Sequence, residues 1–161
     1  MLVKNQRTRL LIINKKTNEF LVLVRNLKDK CGFDNRVILL PGGGVDDGEG
    51  EIASLLREVN EEIGYKPWII SKIMDVSITG PGTENLKLYY PDVTKVDIVY
   101  SFWVEVVEKN IEIELKEKEK FDGFHWVNKY GLVKLSRDLG ASIDTGLLEA
   151  RNTAVCGSLL Y

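Results

Sequence analysis

Hydrophobic residues in this chain fall in short runs and spaced stripes, and these two patterns divide it into elements. Arg9–Asn14 and Phe20–Val24 are rich in leucine and β-branched residues and flank Lys15-Lys16-Thr17-Asn18, which predicts a β-hairpin with a polar turn. Asn26–Asn35 is polar, contains Gly32 and reads as a loop. Val37–Leu40 predicts a short buried strand running into Pro41-Gly42-Gly43-Gly44, where glycine admits backbone angles closed to other residues. From about Gly50 to Ile63 the period changes. Ile52, Leu55, Leu56, Val59 and Ile63 lie at i, i+3, i+4, i+7 and i+11, the stripe of an amphipathic helix. Gly64 closes that helix and Pro67 prevents its continuation. Trp68–Thr79 and Val96–Val107 read as long strands, separated by a Gly80–Thr94 loop that holds Pro81 and Pro91. Phe121–Val127 predicts another strand, Asn128–Leu139 a short helix, and Ala141–Arg151 a further helix. Strands and helices mix without strict alternation, so the expected class is α/β in the α+β sense, a mixed sheet covered by helices.

Composition narrows the class. The chain has 161 residues, 44% apolar and 29% charged, the balance of an ordinary globular protein, and no repeat or low-complexity linker divides it. One domain over 1–161 is expected. No apolar run approaches the roughly 20 residues that span a bilayer, and the start lacks a signal-peptide pattern. The expected compartment is the cytoplasm, with no membrane partner. Twenty-two basic and 24 acidic residues leave a net charge of −2, which argues against duplex nucleic acid as a partner. Cys31 and Cys156 form no CxxC pair, and a single histidine, His125, cannot build a His-rich zinc site. Any metal here must be a hard cation held by oxygen.

One segment carries such oxygens. Between Asp46 and Glu62 stand seven acids, Asp46, Asp47, Glu49, Glu51, Glu58, Glu61 and Glu62, against one base, Arg57. On a helix at about 100° per residue, with Ile52 at zero, Glu61, Glu58 and Glu62 fall at roughly 180°, 240° and 280°. They share a face beside the apolar stripe. Like charges at this spacing destabilise a helix. Elsewhere the chain intersperses lysines among its acids, as in Lys116-Glu117-Lys118-Glu119-Lys120. Clustered carboxylates without counter-charge suit a divalent cation, Mg²⁺ first and Mn²⁺ as a substitute. An acidic helix face in water is the plain alternative.

The spacing decides between them. The segment resembles the Nudix box, G-x5-E-x7-R-E-U-x-E-E-x-G-U, where U is a bulky apolar residue. Gly43, Glu49, Arg57-Glu58, Val59, Glu61-Glu62, Ile63, Gly64 and Tyr65 match it over residues 43–65, with Tyr65 an aromatic where an aliphatic is more usual. Trp126-Val127 after a late strand is also similar to the family. Membership of the Nudix (MutT-like) hydrolases implies an α/β/α sandwich with a mixed β-sheet between helices. It implies that Glu58, Glu61 and Glu62, with the backbone carbonyl of Gly42, bind catalytic Mg²⁺, and that Arg57 and Glu49 orient them. The implied reaction is hydrolysis of a phosphoanhydride in a nucleoside diphosphate linked to X. A nucleoside triphosphate is the first expectation, and ADP-ribose or a sugar nucleotide the alternative. Glu58 or Glu61 is the expected general base, with Glu112, Glu114, Glu117 and Glu119 as candidates on a distant loop.

The substrate is less legible. Pro81, sixteen residues after Tyr65, resembles a proline of the ADP-ribose pyrophosphatases, although Gly80-Pro81-Gly82 is also a plain turn. Arg25, Lys28, Lys30 and Arg36 are phosphate-binding candidates, and Tyr89, Tyr90 and Trp103 could stack a base. A small-molecule nucleotide is the expected partner, and a homodimer stays open. A non-catalytic nucleotide-sensing domain would be favoured by loss of a box glutamate, and none is lost.

Overall fold

The computed structural model describes residues 2–28, 34–66, 72–79, 94–106, 112–144 and 147. Among these, β1 (Leu2–Asn14), β2 (Glu19–Lys28), β3 (Asp34–Leu39), β4 (Gly42–Gly44), β5 (Lys72–Thr79), β6 (Thr94–Val106), β7 (Phe121–Val127) and β8 (Ser142–Ile143) join one sheet. Two helices accompany them, α1 (Glu51–Ile63) and α2 (Lys129–Leu139). The path runs β5-β6-β1-β2-β3-β8, with β4 added to β1 and β7 to β2. β1–β6 and β3–β8 are parallel and the other pairs antiparallel, so the sheet is mixed as expected.

The unbroken apolar runs of β1 and β2 are explained by cover on both faces. Leu10, Ile12, Leu21 and Leu23 pack with Leu55, Val59 and Ile63 of α1 and with Phe121. Their neighbours Leu11, Ile13, Phe20, Val22 and Val24 pack on the opposite face with Ile38, Leu40, Val127 and Leu132 of α2. Alternate side chains of a strand point to opposite faces, so each run feeds two cores. α2 is started by Asn128, whose Oδ1 accepts the Gly131 N–H at 2.8 Å, and closed by Gly140 in the left-handed region. The resulting three layers are those of an α/β/α sandwich.

The part of the sheet that matters for function is a fork. β1 and β2 share two register pairs, Ile13↔Phe20 and Asn14↔Glu19, and then diverge. The chain from Asp34 to Gly44 fills the opening, pairing first with β2 as β3 and then with β1 as β4. Leu10 donates its N–H to the Pro41 carbonyl at 2.7 Å, and Val45 donates to that of Gln6 at 2.9 Å. Gly42–Gly44 is thus strand, continuing past the end expected at Leu40.

Other boundaries also move. Both ends of the expected loop Asn26–Asn35 are ladder, with Asn26↔Arg36, Leu27↔Asn35 and Lys28↔Asp34 paired, because backbone groups make the pairing whatever the side chains are. Residues 29–33 lie outside the described residues. The expected helix over Ala141–Arg151 begins instead as β8, paired with Val37 and Ile38, and Leu147 is helical and buried. Residues 80–93, with Pro81, Tyr89 and Tyr90, lie outside the described residues, as do Cys31 and Cys156. Among the described residues no helix is long and apolar enough to cross a membrane.

Candidate active site

α1 carries the site, and its orientation about its own axis differs from the one its apolar stripe predicts. Leu55, Val59 and Ile63 are buried, but Ile52 is 52% exposed, while Ser54 and Glu62 are buried. The buried arc is displaced toward the Ser54–Glu58–Glu62 side. Burying those polar groups is tolerable because β4 supplies partners for them. Ser54 Oγ donates to the Gly44 carbonyl at 3.0 Å, and Glu62 Oε2 accepts the Gly42 N–H at 3.0 Å.

The glycines of β4 make this contact close. Gly42 has φ 146°, and a Cβ there would collide with the backbone of Thr8 and Arg9. A Cβ on Gly43 would collide with the Glu58 carboxylate. Around Gly44 there is open space.

Arg57 is the hub of the cluster. Its Nε and Nη2 donate to Glu49 Oε2 and Oε1 at 2.9 and 3.0 Å, a two-pronged pair. Nη2 also reaches the Gly44 carbonyl at 3.2 Å and Asp46 Oδ2 at 3.3 Å. Nη1 spans Glu58 Oε1 at 3.1 Å and Glu61 Oε2 at 3.3 Å. The Arg57 hydrogen bonds hold the Glu49 carboxyl down at about 2. Its acid partners, Glu49 first, push the guanidinium pKa further above its ordinary value.

The metal-ligand candidates sit in unlike surroundings. Glu62 is 2% exposed, and burial pushes its pKa up to about 8, with the Gly42 N–H opposing and the Glu58 charge adding. The Glu58 side chain is 14% exposed, and burial raises its pKa against the pull of Arg57. Glu61 is about half exposed, at 49%. Their oxygens match the donor chemistry of a hard cation, and a buried carboxylate held by an N–H rather than by a base fits that group. Among the described residues no three acids stand close enough together to grip an ion as placed. Arg57 and the Gly42 N–H hold these carboxylates instead, so they must shift to converge.

The structure brings Gly42, Glu49, Arg57, Glu58, Glu61 and Glu62 together, and separates the two arginines proposed for phosphate. Arg25 follows Leu21 and Leu23 onto the α1 face and pairs in register with Phe121, which packs there. Arg36 shares the face of Ile38, on the α2 side, and its Nε donates to Asp122 Oδ2 at 3.1 Å. Trp103 stands in β6, opposite Leu11 of β1. Sequence patterns missed Ser54 and the backbone of residues 112–117, and gave Asp46 no role beyond the acidic cluster. Glu114 and Lys116 donate their N–H groups to the carbonyls of Ile63 and Glu62 at 3.0 and 2.9 Å, satisfying the end of α1. The one sequence signal for Ser54 was its position, at roughly 200° on the helix, on the acidic side.

A loop and helix that gather acids at the opening of a forked mixed sheet define the class. The model of the NUDIX domain matches residues 4–139, and the chain belongs to the Nudix hydrolase family. A curated relative is the RNA pyrophosphohydrolase of Ruthia magnifica subsp. Calyptogena magnifica, 26% identical over 122 residues, which are 69% of this chain. This chain spans 65% of that relative's length. Among solved structures, the MutT protein from Methanosarcina mazei Go1 superposes with a TM-score of 0.52 at 23% identity, covering 78% of this chain and 77% of that one. The E. coli ORF135 protein superposes with a TM-score of 0.61 at 14% identity, covering 92% of this chain and 89% of its own. Both likenesses are of fold.

Proposed function

We propose that this chain is a pyrophosphohydrolase that cleaves a phosphoanhydride in a nucleoside diphosphate linked to X, with a nucleoside triphosphate as the first substrate class. The observation that carries this reading is the pair Glu58 and Glu62, two largely buried carboxylates placed against the glycine backbone of β4, with Glu61 beside them. The family-model match and the pyrophosphohydrolase name of the curated relative support the same class.

Glu58, Glu61, Glu62 and the Gly42 carbonyl would hold Mg²⁺, or Mn²⁺ in its place, and the bound ion would polarise phosphoryl oxygens and acidify a water. The protein's own part is positioning and proton transfer. Glu49 fixes Arg57 by two hydrogen bonds, and Arg57 in turn sets where Glu58 and Glu61 stand. Glu58 or Glu61 takes the proton of the attacking water, the first with a raised pKa and the second open to solvent. Gly42 holds Glu62 in place through its N–H.

The test is a panel of nucleoside triphosphates, ADP-ribose, sugar nucleotides and dinucleoside polyphosphates, assayed with Mg²⁺ and then Mn²⁺. Hydrolysis lost in chelator and restored by Mg²⁺ is the expected result. Glu58→Gln should lower turnover by about 100-fold or more, the scale of losing one electrostatic stabiliser. Full activity in excess chelator overturns the reading. ADP-ribose as the best substrate would move it to the alternative class.

A further inference from the structure

A polyphosphate carries several negative charges, and the site as described presents mostly more of them. Arg57 distributes its N–H groups over Glu49, Asp46, Glu58, Glu61 and the Gly44 carbonyl. Arg36 lies on the other face. The Lys116 side chain is drawn over the end of α1, where its Cε would stand 3.1 Å from a Cβ on Gly64. Among the described residues Arg25 shares the α1 face, and the charged run at 116–120, which reads from sequence as a solvated stretch, adds a second cation there.

The segment that caps α1 alternates. Ile113 and Leu115 turn inward onto the core beneath α1, Glu112, Glu114 and Lys116 are exposed, and Glu117 continues the inward register. Both Lys120 and Phe121 then donate N–H groups to the Glu117 carbonyl at 3.0 Å, which brings the chain back on itself. Lys120 Nζ comes to 3.6 Å from Glu117 Oε2 and lies 5.6 Å from the centre of the Phe121 ring. Phe121 belongs to the buried cluster of Val59 and Ile63, and Lys116, four residues before Lys120, donates its N–H to the Glu62 carbonyl, so this ammonium lies on the face of the sheet that carries the end of α1. At 3.6 Å the tie to Glu117 is longer than a good hydrogen bond, and such a half-exposed pair holds its lysine weakly.

We propose that Lys120 is a substrate-binding residue of this site, whose ammonium contacts phosphate oxygens of the nucleotide once a divalent cation has engaged Glu58 and Glu62. This rests on the reading of the site as one that takes a nucleotide polyphosphate. A compact ammonium on a flexible stem suits that task, as a point charge that follows the phosphate.

The experiment is calorimetric titration of the Mg²⁺-loaded protein with an α,β-methylene nucleoside triphosphate, chosen so that turnover is not needed. Lys120→Met should weaken binding about tenfold, and Lys120→Arg should stay within about threefold of the parent. Mn²⁺ titrated into metal-free Lys120→Met should bind as tightly as in the parent or more tightly, since a repelling charge is gone. A residue that mattered only for packing would lower the melting temperature without separating nucleotide from metal. If Lys120→Met is poorly folded, Lys120→Gln is titrated in its place. Equal binding by parent and variant, or parallel loss of metal and nucleotide, overturns the inference while leaving the proposed reaction standing. A parent protein that neither binds the analogue nor hydrolyses any panel substrate overturns both.

Discussion

The backbone N–H of Gly42 donates to Glu62 Oε2 at 3.0 Å, joining a strand to a helix across twenty residues of sequence. That contact exists because Gly42 adopts φ 146° tight against Thr8, and because α1 turns Glu62 inward instead of Ile52. It places a buried carboxylate under the backbone of β4, and several measurable consequences come from it.

The three glycines of β4 should not be equivalent. Gly42→Ala meets both a left-handed φ and the Thr8 carbonyl and should cost about 2 kcal/mol or more of stability, whereas Gly43→Ala meets only the end of the Glu58 side chain, which can swing aside, and should cost about 1 kcal/mol. Gly44→Ala enters open space and should stay within about 0.5 kcal/mol of the parent. Urea denaturation of the three variants checks this, and a Gly44→Ala cost equal to that of Gly42→Ala would contradict the geometry.

The metal-free protein should lose stability as pH rises from about 5 to 8. The folded Glu62 carboxyl titrates near 8, above its ordinary 4.5, so across that window the folded state keeps a proton that the unfolded state has released. Glu62→Gln removes the titrating group and keeps an acceptor for the Gly42 N–H. Its melting temperature in chelator should exceed the parent's at pH 8 by more than about 4 °C, since linkage of about 1.36 kcal/mol per pH unit over this window exceeds the roughly 1 kcal/mol that such a shift represents in a chain of this size. The two should converge near pH 5. A parent curve flat over this range would show that Glu62 is ionised when folded.

Arg57 and Glu49 should behave as a unit. Arg57→Lys keeps the charge but loses the two-pronged geometry. In a double-mutant cycle with Glu49→Gln the second substitution should add little to the first, with a coupling of about 1–3 kcal/mol in the activation free energy. Turnover on the best substrate of the panel provides the reading. Additive losses would mean that the two side chains act separately.

Arg25 and Arg36 should separate in substrate binding. Arg25 lies on the α1 face, whereas Arg36 lies across the sheet with Asp122. Arg25→Ala should raise KM about tenfold, and Arg36→Ala should change it by less than about twofold. A larger effect at Arg36 would place the nucleotide on the α2 side.

Much of the local structure was legible in the chain because it rests on local physics. A helix of 13 residues announces itself by period, and Gly64 and Asn128 mark boundaries by the hydrogen bonds they make within a turn or two. The order Gly43, Glu49, Arg57-Glu58, Glu61-Glu62 identified the family because residues matched at fixed spacing are brought together by one loop and one helix. A shared role for Arg57 and Glu49 was implied by the resemblance, and their two hydrogen bonds came from the structure.

What the tertiary structure decided was relative placement, which no local pattern encodes. Arg9–Asn14 and Phe20–Val24 predicted a hairpin, not that β1 and β2 part after two pairs and admit β3 and β4 between them. The apolar stripe of α1 left Ile52 inside. The helix turned instead toward Ser54 and Glu62, because β4 offered a carbonyl to one and an N–H to the other. Polar burial depends on the partner, and the partner comes from another element. For the same reason Arg25 and Arg36, eleven residues apart and alike in sequence, ended on opposite faces of one sheet: strand register sets the face, and pairing across the fork sets the register.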